Sequence, residues 1–495
     1  MNRRDFLRSS SAAALGSLTC SSPKTQSNVL IIYTDEHARW TLGVYGDKVI
    51  GTPHLDSIGN EGAVFDNFFV NSAVCTPSRG CFITGRYPHA HGAPVNNIPI
   101  NRDEITLAEV LRRNGYETAM IGKWHLDGEP RPGWTPADRA MGFEDSQWMF
   151  NRGHWKRVIE RPEAWPNNRS VSRTGKEEWI PDEPDGRPDL DYDVRAEGQY
   201  FTDWLADKTI EFLERPRNRP FFLYLSIPDP HTPFSVGPPY DAMFRPEDME
   251  VPETLYEEPL PDWAAKARAN FVRTEKSESW DDPNREAVLR QRKSQYFGMV
   301  KRIDDNVGRI LEILRNKKIL DDTLIVFCSD HGQYMGEHGL YMKNQLYEPA
   351  HRVALMMRLP ARIPAGTRVE ECVSTVDVQP TVLSLLGLDA SGREQGRDAS
   401  RLTRGEPYPD WQNEAFIHHS SLERAGIFTP EWQFALVKNG DGILFDRRND
   451  PLQTDNLFAA EDSQEVVAEL TRRVVEHHRL TESPALGWLA ELEVG

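Results

Sequence analysis

Short, unbroken apolar runs that stop abruptly at charged residues dominate most of the chain. Asn28-Val29-Leu30-Ile31-Ile32-Tyr33-Thr34 shows no polar alternation, as expected of a strand covered on both faces. It stops at Asp35-Glu36-His37. The spacing of Leu107, Val110 and Leu111 predicts a helix from Thr106 to Asn114, capped by Thr106 and ended by Gly115. A strand over Glu117 to Ile121 runs into Gly122-Lys123-Trp124-His125. A helix over Phe201 to Glu214 leads to a strand over Pro220 to Ile227, which meets Pro228-Asp229-Pro230-His231. A long amphipathic helix from Arg285 to Asn316 precedes a strand from Thr323 to Cys328, which ends in Ser329-Asp330-His331-Gly332. A strand over Val353 to Arg358 and a helix over Val378 to Leu386 continue the alternation.

Alternating β and α units predict an α/β fold: a large mixed, mostly parallel sheet sandwiched by helices. Beyond Gly387 the pattern changes. Strand-like pieces at Ala415 to His418, Gln433 to Lys438 and Gly442 to Asp446, with a helix near Glu465 to His478, predict a small C-terminal α+β subdomain. The division expected is an export signal over 1–26, a main domain over 27–387 and the subdomain over 388–495. Residues 127–200 and 235–283 have little periodicity and read as elaborated loops. Trp134, Trp148, Trp155, Trp165 and Trp179 lie in the first; those at 148 to 179 could stack on sugar rings, although loop tryptophans more often pack the loop down. His477-His478 reads as part of a solvated helix face.

Charge narrows the partners. The formal net charge of −18 argues against nucleic acid and against a polybasic membrane contact. An anionic ligand would have to be drawn in by a local cluster of cations. Cys20, Cys75, Cys81, Cys328 and Cys372 form no dense disulfide framework. Arg3-Arg4 followed by Phe6-Leu7 and a mildly apolar run resembles a twin-arginine export signal, implying a periplasmic location. Lipid anchoring at Cys20 is a weaker reading, because Ser17 stands where a leucine is expected. No run approaches the roughly 20 apolar residues needed to span a bilayer, so no transmembrane segment is expected.

The chemistry concentrates in Cys75-Thr76-Pro77-Ser78-Arg79-Gly80-Cys81-Phe82-Ile83-Thr84-Gly85-Arg86. Thr-Pro reads as a helix cap and first turn, and Thr84-Gly85 as its end. Cys75 would then sit at a helix N-terminus, where negative charge is favoured, with Arg79 one turn on. Asp35, Glu36, Asp330 and His331, two pairs at two strand ends, can converge on one divalent cation. Lys123 and His125, spaced i and i+2, can meet one anionic group.

Cys75 to Arg86 matches every position of the signature of the sulfatase family, C-x-P-S-R followed by T-G-R. Gly-Lys-Trp-His-Leu at 122–126, Pro-His-Thr-Pro-Phe at 230–234 and the Lys343 segment are similar to further family motifs. The resemblance implies an alkaline-phosphatase-like fold and hydrolysis of a sulfate ester by the hydrate of a formylglycine made from Cys75; the export signal and the tryptophans point to a carbohydrate as the sulfated substrate. It implies one divalent cation held by Asp35, Glu36, Cys75, Asp330 and His331. Calcium is the expected ion, with manganese or magnesium as alternatives, because Glu36 and His331 depart from the commonest family pattern and imidazole suits manganese better. Arg79, Lys123 and Lys343 would spread charge on the sulfuryl oxygens, His231 would protonate the leaving group and His125 would take the proton that regenerates the aldehyde. The implied partners are a sulfated small molecule or glycan and the enzyme that generates formylglycine on the unfolded chain. Two other readings remain: a phosphonate monoester or phosphodiester hydrolase on the same scaffold, and a glycan-binding relative without turnover.

Overall fold

The computed structural model describes residues 26–128, 135, 139–159, 169–171, 177–179, 189–191, 198–274, 285–438 and 440–492. Arg3, Arg4, Cys20, Trp134, Trp165 and the side chain of Trp179 lie outside the described residues.

An eight-stranded sheet organises the chain. Its order is Thr367–Ser374, Ala63–Phe69, Leu355–Arg358, Thr323–Ser329, Asn28–Asp35, Phe221–Pro230, Glu117–Lys123 and Asp145–Phe150. Leu355–Arg358 runs antiparallel to both neighbours, and every other pairing is parallel. The continuous apolar runs are explained by burial of both faces. Val29, Ile31 and Tyr33 point into one core with Leu107, Val110, Val382 and Leu383. Leu30 and Ile32 point into the opposite core with Leu55, Trp204, Leu205, Ile303 and Val307. Helix Arg285–Asn316 lies where its periodicity predicts it, on the second of these faces.

Register decides what the strand ends share. Thr34 pairs with Ser329, and Gly122 with Ser226. The carboxyl ends of four strands are therefore level, and Asp35, Lys123, Asp330 and the His231 loop emerge at one edge, the usual ligand position in open α/β sheets. Gly122 is required there: its φ is +108°, and a Cβ would stand 1.9 Å from the Ser226 carbonyl oxygen.

Several local expectations are corrected. Asp145–Phe150, inside a stretch expected to be loop, is the edge strand beside Glu117–Lys123. Trp155, expected in the same loop, is fully buried against Phe150, and Trp148 packs on Trp204. These two pack the protein core, which answers the sugar-stacking alternative for them. Asp262–Thr274 forms a helix within the second irregular stretch. Strands Ala63–Phe69 and Thr367–Ser374 carried no clear signal, since Asp66-Asn67 and Glu370-Glu371 interrupt their apolar residues. The C-terminal sheet has four strands, Ala415–His418, Arg424–Phe428, Trp432–Val437 and Gly442–Asp446, paired antiparallel in chain order.

Helix Gln464–Leu480 covers that sheet through Leu470, Val474 and Val475. It also buries His477 and His478, so the expectation of a solvated face there is wrong. Both imidazoles pack against His418, and Tyr87, from the loop after the Cys75 helix, stacks on His418. No helix among the described residues is long and apolar enough to cross a membrane.

Candidate active site

Helix Cys75–Thr84 begins at the cysteine itself, so Cys75 stands at the N-terminal turn. Thr76 is not its cap. Val74 holds that position without a side-chain bond, while the Thr76 hydroxyl donates to the His125 carbonyl at 3.0 Å and the Thr76 amide to Asn96 at 2.9 Å. The threonine thus ties the helix mouth to the Lys123–His125 segment. Gly85 ends the helix at φ +65°, donating to Cys81.

The Cys75 sulfur is the meeting point. It lies 3.2 Å from His331 Nε2, 3.3 Å from Lys343 Nζ and 3.8 Å from Asp35 Oδ1. Asp35, Cys75, Asp330 and His331 are fully or almost fully buried, and one ligand atom of each lies within 4.8 Å of all the others. His331 Nδ1 donates to the Gly332 carbonyl at 2.9 Å, which leaves the Nε2 lone pair facing the cluster. Asp330 accepts from the Glu36 amide at 3.0 Å. Glu36 itself stands outside this group of four. Its backbone is left-handed at φ 62°, and its carboxylate faces His231 Nε2 at 3.1 Å and Lys343 Nζ at 3.5 Å. Both its oxygens are buried without a hydrogen bond.

Arg79 reaches the site, but its guanidinium faces protein groups rather than open cleft. Nε donates to Asp330 Oδ2 at 3.0 Å, Nη2 lies 3.2 Å from Asp35 Oδ2, and Nη1 donates to the Lys123 carbonyl and to Ser226. It braces the two carboxylates. Burial alone would raise the Asp35 pKa, yet Lys123 and Arg79 hold it well below the usual range. Burial raises that of Glu36, opposed by Lys343 and His331.

Lys123 Nζ bonds Asp35 Oδ2 in a short contact and His154 Nε2 at 2.7 Å. His125 Nε2 donates to Asn97 Oδ1 at 3.1 Å, and its Nδ1 is buried without a partner. Burial, then Lys123, pushes the His125 pKa well down, so a neutral ring with a free acceptor faces the site. His231 donates from Nδ1 to the Thr232 carbonyl at 2.8 Å and directs Nε2 at Lys343 Nζ, 2.9 Å away. Burial and Lys343 keep it neutral. Lys156 anchors this loop, bonding Asp229 at 2.5 Å and the His231 carbonyl at 3.1 Å.

Nine of the ten residues expected at the site are linked to one another by side-chain or backbone contacts, and His125 joins them through Thr76, which bonds its carbonyl. Sequence reasoning missed His154, Asn97 and Lys156. His154 follows an edge strand that gave no periodic signal, and a lone His, Asn or Lys in a loop carries none.

A family model described as Sulfatase matches residues 27–388, and one described as N-sulphoglucosamine sulphohydrolase, C-terminal, matches 336–480. The N-acetylglucosamine-6-O-sulfatase of Bacteroides thetaiotaomicron is 28% identical, over 90% of this chain and 86% of its own length. The Ulvan-active sulfatase of Formosa agariphila is 26% identical, over 91% and 80%. A solved complex with the substrate D-glucosamine-2-N,6-O-disulfate aligns with TM-score 0.75 at 24% identity, covering 92% of this chain and 98% of the other. The phosphonate monoester hydrolase of Agrobacterium radiobacter aligns with TM-score 0.72 at 23% identity, covering 92% and 96%.

Proposed function

The chain belongs to the sulfatase family, and on that premise we propose that it is a sulfuric ester hydrolase acting on a sulfated carbohydrate, with Cys75 converted to formylglycine beside a divalent cation. The observation that carries this reading is the convergence of Asp35, Asp330, His331 and Lys343 on the Cys75 sulfur.

The residues fit both groups. Two carboxylates and one imidazole with its lone pair turned inward are a sound donor set for a divalent ion, while the Glu36 carboxylate faces His231 and Lys343. Calcium is our assignment, with manganese, which the His331 imidazole suits better, or magnesium as the alternatives. The case for modification rests on the match of Cys75 to Arg86 to the family signature, and the state of the thiol accords with it. Burial pushes Cys75 up to about 12, with Asp35 adding to the rise against Lys343. An unmodified thiol at this position has little thiolate at neutral pH and is a poor nucleophile. When present, the cation would supply Lewis-acid stabilisation and the formylglycine hydrate a nucleophilic hydroxyl.

The chain's own groups supply the rest. Lys343 Nζ stands 3.3 Å from the Cys75 sulfur and Lys123 Nζ bonds Asp35 beside it, so both ammonium groups are placed to hold the sulfuryl oxygens as charge develops. Arg79 keeps Asp35 and Asp330 apart and oriented. His231 is the candidate proton donor to the leaving oxygen; it is neutral beside Lys343, and an anionic ester brought next to it is what would favour its charged form. His125, with Nδ1 free, can accept the proton released from the hydrate.

The carbohydrate assignment draws on relatives named for sugar or polysaccharide substrates. Export to the periplasm, and modification of Cys75 by a formylglycine-generating enzyme before folding, belong to the same proposal. A desulfation screen over defined sulfated sugars and small esters tests it: release of sulfate from a sulfated sugar supports it, and no turnover of any sulfate ester sinks it. The Asp330-His331 pair and the likeness to phosphonate monoester hydrolases favour one second reading, hydrolysis of phosphonate monoesters. Turnover of an aryl phosphonate well above that of the matching aryl sulfate would establish it instead.

A further inference from the structure

His154 is a further imidazole at this cleft, beside Lys123 and His231. It lies four residues beyond the edge strand, in Asn151-Arg152-Gly153-His154-Trp155, and its side chain is 22% exposed, at the cleft wall. The loop that carries it is pinned on both sides. Asn151 accepts from the Asp127 amide at 3.0 Å and donates to the Gly128 carbonyl at 2.8 Å, tying it to the segment after His125. Trp155 is buried in the core against Phe150 and Phe201. An imidazole carried between two such anchors is held, not tethered.

Two contacts define its place. The edge of the ring meets Lys123: Nε2 lies 2.7 Å from Nζ. An ammonium has three N–H groups and no lone pair, so Nε2 must be the acceptor and the proton sits on Nδ1. Lys123 therefore gives one N–H to Asp35 and one to His154, and its third has no partner among the described residues. Two fixed acceptors leave a tetrahedral ammonium one direction for that third donor. The face of the ring meets His231: the centroids are 3.5 Å apart and the planes differ by 2°. His231 is otherwise oriented in its plane through Nδ1 and Nε2, and the stacked ring sets its tilt.

We infer that His154 is a positioning residue for the reaction, holding the sulfuryl-binding Lys123 by its edge and the proton-donating His231 by its face. This rests on the sulfatase reading. A second cation between Asp35, His154 and His231 is geometrically conceivable, since one ligand atom of each lies within 4.8 Å of the others. The Lys123 ammonium already bonds two of the three, and so stands in for it.

The two contacts can be separated by substitution and by leaving group. His154→Gln keeps an acceptor for Lys123 and loses the stack. His154→Phe keeps the stack and loses the acceptor. His154→Ala loses both. Each is made in the full chain carrying modified Cys75 and assayed on an activated ester, 4-nitrophenyl sulfate, and on an unactivated alkyl or sugar sulfate. Proton donation matters only for the unactivated ester, whereas the hold on the sulfuryl group matters for both. The alanine variant is expected to lose about a hundredfold in kcat/KM on the unactivated ester, the scale of a misplaced catalytic group. Glutamine should restore the rate on the activated ester and leave the unactivated one slow. Phenylalanine should leave both slow by one common factor, with the ratio between the two esters back at the wild-type value.

Alanine within about twofold of wild type on both esters overturns the inference. So does an equal loss by all three variants on both esters with a lowered melting temperature, which would mark a purely structural residue. If the wild type turns over no sulfate ester but does hydrolyse aryl phosphonates, the functional reading fails on its own. The same crossed pattern, read on two phosphonates of different leaving groups, then supports or overturns the role of His154.

Discussion

His478 offers a sharp test of how burial, rather than sequence position, sets the behaviour of a side chain. It is 1% exposed, and neither ring nitrogen has a hydrogen-bond partner. Its ring faces His418 at 4.6 Å and His477 at 5.5 Å, and His89 adds to the field acting on it. No carboxylate is among the groups that shift it. Burial lowers its pKa to about 3, against about 6.5 for the unfolded chain. A depressed pKa in the folded state means that the unfolded chain binds more protons between those values. The stability held above about pH 6.5 is therefore lost as pH falls toward 3, at about 1.4 kcal/mol per pH unit. At pH 5 the loss from this one residue is about 2 kcal/mol, and at pH 8 it is near zero.

His478→Leu removes both the titration and two unpaired polar atoms. At pH 8 the gain is expected to be modest, about 1 kcal/mol, from the relieved polar burial set against altered packing. The informative quantity is the difference between pH values. The variant should gain about 2 kcal/mol more at pH 5 than at pH 8, relative to wild type. Urea unfolding of the full chain at both pH values, followed by tryptophan fluorescence, measures this, provided the denaturant slopes of the two proteins agree. An equal effect at the two pH values would refute the reasoning: His478 would then be solvated or paired in solution.

Four further outcomes are expected. The Cys75 peptide of the active protein should be lighter by about 18 Da than the unmodified sequence requires, the difference between a thiol and an aldehyde side chain; an unmodified mass in fully active protein excludes formylglycine. Cys75→Ser should retain little sustained turnover, because a serine lacks the second hydroxyl that lets the product be expelled; steady wild-type rates would exclude the assigned role. Chelation should abolish activity, and the ion that restores it, calcium or manganese, identifies what Asp35, Asp330 and His331 select; full activity in excess chelator speaks against a cation altogether. Arg79→Met should leave Asp35 and Asp330 without their shared counter-charge and destabilise the cation-free protein by about 3–5 kcal/mol, read by denaturant unfolding; an unchanged midpoint would show that Arg79 is no brace.

The site motifs and the fold were legible to different degrees. Helix Arg285–Asn316 and the strand beginning at Asn28 carry strong periodic or continuous apolar signals, because both faces of the sheet are buried. Asp145–Phe150 carried none, because an edge strand with only one neighbour need not be apolar throughout. The motif around Cys75 and the acids and histidines at strand ends were visible as residue types at turning points of the pattern.

Local sequence determined which groups could react: a cysteine at a helix mouth, carboxylates closing apolar strands, lysines and histidines in short loops. Only tertiary structure decided where each faces. Asp35 and Asp330 are neighbours because Thr34 and Ser329 are in register across two strands distant in sequence. Arg79 turns to those carboxylates because a buried guanidinium must be paired. His154 enters the cleft because Trp155 anchors its loop in the core, and His478 is dry because its helix packs its last turn onto His418 and the loop of Tyr87. Residue type sets what chemistry is available at a position; register and burial, which depend on contacts remote in sequence, set whether a group is charged, paired and aimed.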